Sequence, residues 1–153
     1  MAKATKVKQL NCTLTTKVGL LAQISEAIAK AEVNIASIRA YESGRRAYFS
    51  FTTDSAAKAK RAMTKLGIEV EEKDGILVEM ANKPGELQKV AQQLAAAEIN
   101  ILETYGVSGA GRLSSCFFST SDNVKAVRVL NKPPKATARK TAGRAPRSGK
   151  SKK

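Results

Sequence analysis

The stretch AEVNI occupies residues 31–35, and a near copy, AEINI, occupies residues 97–101. The copies start 66 residues apart and keep Asn at the fourth position. Aligned at this offset, residues 10–35 and 76–101 share eight identical residues in 26, and six further positions exchange one apolar residue for another. A period this long, with two copies, indicates two similar small domains rather than a solenoid.

Each copy reads as the same series of elements. An alternating strand comes first, with Leu10, Cys12 and Leu14 on one face. A KVG or KPG turn and an amphipathic helix follow, and the NI pair then opens a second strand. The expected buried stripes of these helices are Leu21, Ile24, Ile28 and Ala31, and Leu87, Val90, Leu94 and Ala97. After a third strand and a second helix, the first copy has a fourth strand at 68–71.

The order βαββαβ predicts an α+β fold: two ferredoxin-like units in tandem, each with helices on one face of an antiparallel sheet. The second copy departs from this order, because the prolines of KPPK after Asn131 leave it without a clear fourth strand. Its sheet is expected to be three-stranded or to be completed from elsewhere. The predicted division is a first unit at 1–72, a second unit at 73–131 and a disordered basic tail at 132–153.

Several helix starts are marked by residues that favour them. Asn82 is expected to cap the first helix of the second unit, with Pro84 in its first turn. Asp54 and Asp122 are expected to cap the second helix of each unit.

Charge is concentrated at one end of the chain. The net charge is +14, but residues 132–153 hold nine Lys or Arg and no acid, whereas residues 1–131 hold 18 basic and 13 acidic residues. Such a tail buries too little surface to fold alone. It either stays solvated or makes weak, non-specific contact with nucleic acid.

Several classes of function are disfavoured by composition. There is no histidine, so a Ser-His or Cys-His nucleophile pair is impossible. Cys12 and Cys116 have no CxxC partner, which leaves a metal site unsupported, and no cofactor is expected. Two thiols in apolar, strand-like runs fit a reducing compartment. With no apolar run long enough to span a membrane and no secretory signal at the N-terminus, the sequence predicts a cytoplasmic protein that is not an enzyme.

The stretch NKPGELQKVAQQLAAAEINI, residues 82–101, resembles the signature of the ACT domain family. The first unit carries the related stretch TTKVGLLAQISEAIAKAEVNI, with Thr16 in place of Asn82 and Val18 in place of Pro84. The chain therefore resembles a tandem ACT protein with no enzyme attached. That resemblance implies a regulatory module that binds an amino acid or a similar small effector at an interface between units. The open sheet edges further suggest a homodimer.

The resemblance implies candidate ligand-binding residues on a loop side and a strand side. In the second unit these are Asn82, Gly85 and Leu87, and Asn100 and Ile101; in the first unit they are Thr16, Gly19 and Leu21, and Asn34 and Ile35. A glycine at a helix N-terminus lets amides approach a carboxylate, and an Asn can orient an ammonium. The two sides are separated by the helix, roughly 20 Å, so a ligand needs the loop of one unit beside the strand of another.

Structural interpretations of the same residues stay open. Gly85 suits a tight turn, and Asn34 and Asn100 suit a left-handed helix end. The leucines and isoleucines of the candidate set, Leu21, Leu87, Ile35 and Ile101, are expected in the core in either case.

Three alternatives to effector binding remain. RRAYFSF, residues 45–51, weakly echoes an RNA-binding strand, with Phe49 and Phe51 two apart. A nucleic-acid-associated protein could instead use the basic tail, with the two units as a dimerising scaffold. The units could also dock onto an enzyme by their sheets.

Overall fold

A computed structural model describes residues 1–108 and 111–133. The predicted tail, apart from residues 132 and 133, lies outside the described residues. The elements are β1 (Lys3–Thr15), α1 (Leu20–Lys30), β2 (Ile35–Ser43), β3 (Arg46–Thr53), α2 (Ala56–Lys65), β4 (Glu71–Ala81), α3 (Glu86–Ala96), β5 (Ile101–Ser108), β6 (Leu113–Thr120) and α4 (Asn123–Leu130). None of the helices in the described ranges is long and apolar enough to cross a membrane.

All six strands join one antiparallel sheet in the order β2-β3-β1-β4-β6-β5. The α+β class is confirmed, and the series βαββα occurs twice along the chain. The helices pack in pairs, α1 with α2 and α3 with α4. The sheet runs without a break from one unit into the other because β1 and β4 are long and lie side by side.

The long strand β1 serves both units. Its residues 9–11 pair with 71–73 of β4, while its residues 3–7 pair with 75–79 of the same strand. The second unit's sheet is thus completed by residues 3–7, which take the place of the fourth strand that its own sequence lacks. The fourth strand predicted at 68–71 begins only at Glu71, and the predicted boundary between residues 72 and 73 falls inside β4.

Two hydrophobic clusters lie between the sheet and the helices. The alternation predicted for the first strands is confirmed, because Leu10 and Cys12 are buried in the first cluster and Ile76, Val78 and Met80 in the second. Ala4, from the shared part of β1, is also buried in the second cluster. The packing of residues 3–7 therefore agrees with their pairing.

The helices turn a slightly different face inward from the one expected. Leu21 is 49% exposed and Leu87 is 52% exposed, so their prediction as core residues was wrong. The buried face of α1 follows a four-residue spacing through Leu20, Ile24 and Ile28, and Leu21 points about 100° away from it. Ile35 and Ile101 are partly buried against the two clusters.

Phe49 and Phe51 lie on the face of β3 that the helices cover. They are 5% and 0% exposed and belong to the first cluster. A base cannot stack on rings that helices already cover, so the interpretation of this strand as an RNA-binding surface was wrong.

Two of the three predicted helix caps differ from the structure. α1 and α3 begin after Gly19 and Gly85, both with φ of 88°, so Asn82 is not the cap residue. Asp122 does cap α4, because its Oδ1 accepts a 2.8 Å hydrogen bond from the Lys125 amide.

The second cap that differs is Asp54, and the Asn of the repeated pentapeptide also differs from its interpretation as a helix end. α2 begins after Ser55 rather than Asp54. The left-handed residues at the ends of α1 and α3 are Glu32 and Glu98, with φ of 55° and 57°, so the helix-ending role suggested for Asn34 and Asn100 was wrong.

Candidate functional site

The predicted loop-side residues of the first unit line a surface pocket. Thr16, Gly19 and Leu21 surround a cavity of about 300 Å³ together with residues 40–42 at the far end of β2. We call this cavity the loop pocket. The strand-side residues of the same unit, Asn34 and Ile35, lie at the other end of β2, about 20 Å away by the rise of a strand. Within one unit the two sides are not brought together.

The backbone around the loop pocket is suited to a negative group. The left-handed Gly19 turns the chain abruptly into α1, whose first hydrogen bond runs from the Gln23 amide to the Gly19 carbonyl at 3.0 Å. The amides of the first turn precede that bond and have no partner within the helix. α1 has no acidic residue in its first turn, so no side chain of that turn neutralises the positive end of the helix. The buried Thr16 Oγ1 makes no hydrogen bond within the described residues.

The equivalent loop of the second unit is built differently. The Asn82 amide nitrogen Nδ2 donates to the Gly111 carbonyl at 3.2 Å, which ties the loop to the turn before β6. Glu86 occupies the first turn of α3, and its hydrogen bond with Lys89 holds the pKa of its carboxyl below the ordinary value. This helix end therefore already carries a negative charge.

Asn34 and Asn100 hold equivalent positions just before β2 and β5. The backbone amide of Asn34 donates to Asp54 Oδ1 at 3.0 Å, and that of Asn100 donates to Ser121 Oγ at 3.0 Å. Their carbonyls accept from the backbone amides of the same two partners. Both residues are exposed. These bonds fix the backbone of each junction, and neither uses the Asn side chain.

The two edge strands of the sheet, β2 and β5, approach each other. Arg39 Nη1 lies 2.7 Å from Glu103 Oε1, and Ser37 is near enough to the Tyr105 hydroxyl to act to lower its pKa. We call this contact the β2–β5 seam. At the repeat offset of 66, Ser37 is equivalent to Glu103 and Arg39 is equivalent to Tyr105. The contact between Arg39 and Glu103 is therefore equivalent to the contact between Tyr105 and Ser37. The seam therefore has the antiparallel, two-fold arrangement of the repeat itself. Among the described residues no backbone ladder joins β2 to β5.

The helix-free face of the sheet is closed behind the seam. Gln9 and Phe117 are fully buried there, and the Gln9 amide donates to the Tyr105 hydroxyl at 3.3 Å. The Tyr105 ring stacks on Phe117 with centroids 5.0 Å apart. Burial is the main cause that raises the pKa of Tyr105. The sheet is thus curled, with its helices outside and a small polar and aromatic interior.

The interior fits together because the two units differ in it. At equivalent positions the first unit has Gln9 and Ser50, and the second has Gly75 and Phe117. A Cβ atom at Gly75 would overlap the Phe117 ring. The Phe117 ring therefore fills the space that is left because Gly75 has no side chain.

Sequence reasoning did not single out the seam residues. Arg39, Glu103 and Tyr105 look like ordinary polar-face residues of edge strands, and only their equivalence under the repeat offset hints that they meet. In the part of the chain that the structure describes, no group of three His, Cys, Asp or Glu side chains gathers to hold a metal ion.

Comparisons with known proteins find one family model that matches part of the chain, and several structures with a similar fold. The model of the ACT domain matches residues 8–70. Protein BT0572 from Bacteroides thetaiotaomicron is 25% identical, with a TM-score of 0.76 over 83% of this chain and 88% of that chain. The ligand-free regulatory subunit of aspartate kinase from Thermus thermophilus is 18% identical, with a TM-score of 0.64 over 84% and 93%. A search of curated proteins finds no match.

The likeness to the aspartate kinase subunit shows a shared fold, and the aligned region includes both units of this chain. The family match falls on the unit whose sequence motif departs more from the signature, at Thr16 and Val18. The ACT domain model therefore matches the first unit of this chain, and the second unit repeats the βαββα order of the first.

Proposed function

We propose that this chain is a non-enzymatic regulatory module that binds an amino acid or a similar small effector. The ligand lies between the loop of one unit and the junction of helix and strand in the other. The observation that carries this proposal is the β2–β5 seam. The seam sets the two units side by side within one chain, which is the arrangement that a shared ligand requires.

The register of the seam supports a specific location. Ser37 lies near Tyr105 and Arg39 contacts Glu103. Moving two residues forward along β2 therefore corresponds to moving two residues backward along β5. The next step along β2 leads to Tyr41, which then lies nearest the start of β5, where the strand is irregular between Ile101 and Glu103. Tyr41 lines the loop pocket, and the proposed ligand accordingly contacts Thr16, Gly19 and Leu21 on one side and Asn100 and Ile101 on the other.

The chemistry of the pocket suits an amino acid. The first-turn amides of α1 receive the carboxylate, because the helix dipole is positive there and no acidic side chain of that turn competes. The Asn100 side-chain oxygen and the Glu42 carboxylate, which lines the pocket, hold the ammonium group. The half-exposed Leu21 offers apolar surface to the ligand side chain.

The equivalent second site combines Asn82, Gly85 and Leu87 with Asn34 and Ile35. Glu86 in the first turn of α3 repels a carboxylate there by direct charge and cancels part of the dipole. We therefore expect the first site to bind an amino acid more tightly, with one ligand per chain at low concentration.

Regulation follows from the position of the ligand between units. A ligand that touches both sides of the seam binds the closed arrangement better than an open one, and so shifts the population toward it. The ACT family match supports a regulatory role. We further propose that the chain forms a homodimer in the cytoplasm, and that its exposed sheet surfaces respond to this change in arrangement.

Titration calorimetry of the full chain with each proteinogenic amino acid tests the proposal. We expect at least one of them to bind. Asn100→Ala should weaken that ligand about 10-fold or more, because a hydrogen bond to a charged group is worth about 1.5–3 kcal/mol. Asn34→Ala, the matched change at the equivalent position, should leave the affinity nearly unaltered. The proposal fails if no amino acid binds, or if both variants lose affinity equally.

A further inference from the structure

A row of cations runs along the outer surface of α2. Lys58, Arg61 and Lys65 are spaced i, i+3 and i+7 and are all exposed. This spacing places them on one side of the helix, and we call them the basic stripe. None of the three makes an ion pair or a hydrogen bond within the described residues.

The basic stripe borders a groove between α1 and α2. The cavity there has a volume of about 430 Å³ and is lined by Ala27, Lys30, Ala31, Lys58, Arg61, Ala62 and Lys65. All of its charged lining residues are cationic. Lys30 is paired with Glu26 at 2.6 Å, so the stripe supplies the uncompensated charge. Small alanine side chains leave the groove open to an occupant of anionic character.

The same row recurs in the second unit. Lys125, Arg128 and Lys132 stand 67 residues after the three members of the basic stripe, with the same spacing and exposure. Lys125 Nζ donates to the Ala97 carbonyl at 2.8 Å, while Arg128 and Lys132 make no ion pair in the described part of the chain. Lys132 lies just beyond the end of α4 at Leu130, so Lys125 and Arg128 are the two cations of this set that the helix carries.

We infer that α2 and α4 form a nucleic-acid-binding surface that contacts the phosphate backbone without reading the bases. The basic stripe spans about 10 Å at 1.5 Å per residue, a length over which duplex DNA carries about six phosphates. An acidic helix of a partner protein would fill the groove beside one row only, whereas a long polyanion can contact the cations of both units. This inference does not depend on effector binding.

The test compares three full-length proteins for binding to a mixed-sequence DNA duplex by fluorescence anisotropy over a range of salt concentrations. The stripe variant carries Lys58→Gln, Arg61→Gln and Lys65→Gln. The control variant carries Lys3→Gln, Arg46→Gln and Lys73→Gln, which removes the same charge from exposed strand residues on the helix-free face of the sheet. The third protein is unaltered.

We expect the stripe variant to bind about 10-fold or more weakly at moderate salt, and its slope of log affinity against log salt to fall by about 2–3, since each phosphate contact contributes about 0.9. The control variant should keep nearly the original slope. A charge-retaining variant, Lys58→Arg with Lys65→Arg, should bind like the unaltered chain.

Equal losses in the stripe and control variants would overturn the inference, because only net charge would then matter. Stripe-dependent binding of poly-glutamate without binding of DNA would also overturn it, and would assign the groove to an acidic protein segment.

Discussion

Replacement of Gly75 by alanine is expected to destabilise the fold through one contact. Gly75 lies in β4 opposite residues of β1 and is buried. An added Cβ would overlap two carbons of the Phe117 ring and lie 3.0 Å from the Phe118 carbonyl oxygen. Phe117 is fully buried and its ring also stacks on Tyr105, so it cannot move away without disturbing the seam side of the interior.

The size of the effect follows from two opposing contributions. Overpacking of this kind costs about 1–3 kcal/mol. Alanine also lowers the conformational entropy of the unfolded chain, which stabilises the folded state by about 0.4–1 kcal/mol. We therefore expect a net loss of about 1–2 kcal/mol. For a chain of this length that corresponds to a fall in Tm of roughly 2–8 °C.

Thermal unfolding followed by circular dichroism measures this change. Gly111→Ala is the matched control, because a Cβ there meets nothing within 4 Å, and its Tm should change by less than about 2 °C. Phe117→Leu, added to the Gly75→Ala variant, should recover part of the loss, since a smaller side chain leaves room for the new methyl. If Gly75→Ala and Gly111→Ala behave alike, or if Phe117→Leu simply adds to the damage, Phe117 does not fill the space above Gly75.

Three further results are expected. Asp122→Ala should lower the free energy of unfolding in urea by about 1 kcal/mol, because it removes the cap on the Lys125 amide. Ser55→Ala, at a cap position whose side chain makes no cap hydrogen bond, should leave the free energy of unfolding almost unchanged. Equal losses in the two variants would contradict the cap assignment. Arg39→Ala and Glu103→Ala should show a coupling of about 0.5–1 kcal/mol in a double-mutant cycle, because the pair is 2.7 Å apart but partly exposed, and a coupling near zero would mean that the seam is not closed in solution. Burial raises the pKa of Cys12 from 9.0 to about 11. The stability of the fold should therefore decrease as the pH rises from about 9 to 11, because the thiol of the unfolded chain loses its proton before that of the folded chain. In a series of Tm measurements against pH, Cys12→Ala should reduce this decrease, and an unchanged pH dependence would refute this account.

Much of the fold could be predicted because it is local. Period-two alternation in β1 and β4 and four-residue spacing in α1 and α3 depend on residues close in sequence, and the repeat supplies each pattern twice. The pairing of residues 3–7 could not be predicted, because KATKV lacks a continuous apolar face and becomes a strand only through its partner in β4. Propensity is overridden here by tertiary pairing.

The candidate site was predictable in part. The loop-side residues Thr16, Gly19 and Leu21 were identified from the motif, and they do line one pocket. The caps at Gly19 and Gly85 were missed because a left-handed glycine can end the turn without a side-chain cap. The seam was missed because Arg39 and Glu103 are 64 residues apart and their contact depends on how far the whole sheet curls.

The sharing of β1 between the units also constrains the order in which the chain can reach its folded state. Thr5 pairs with Leu77 and Lys3 with Glu79, so these two residues acquire their partners only after more than 70 others have followed them in the chain. Closing so long a loop is slow compared with forming the local helices. Neither unit has a complete sheet until the other is present, and we therefore expect the chain to unfold and refold in one cooperative transition rather than as two independent domains.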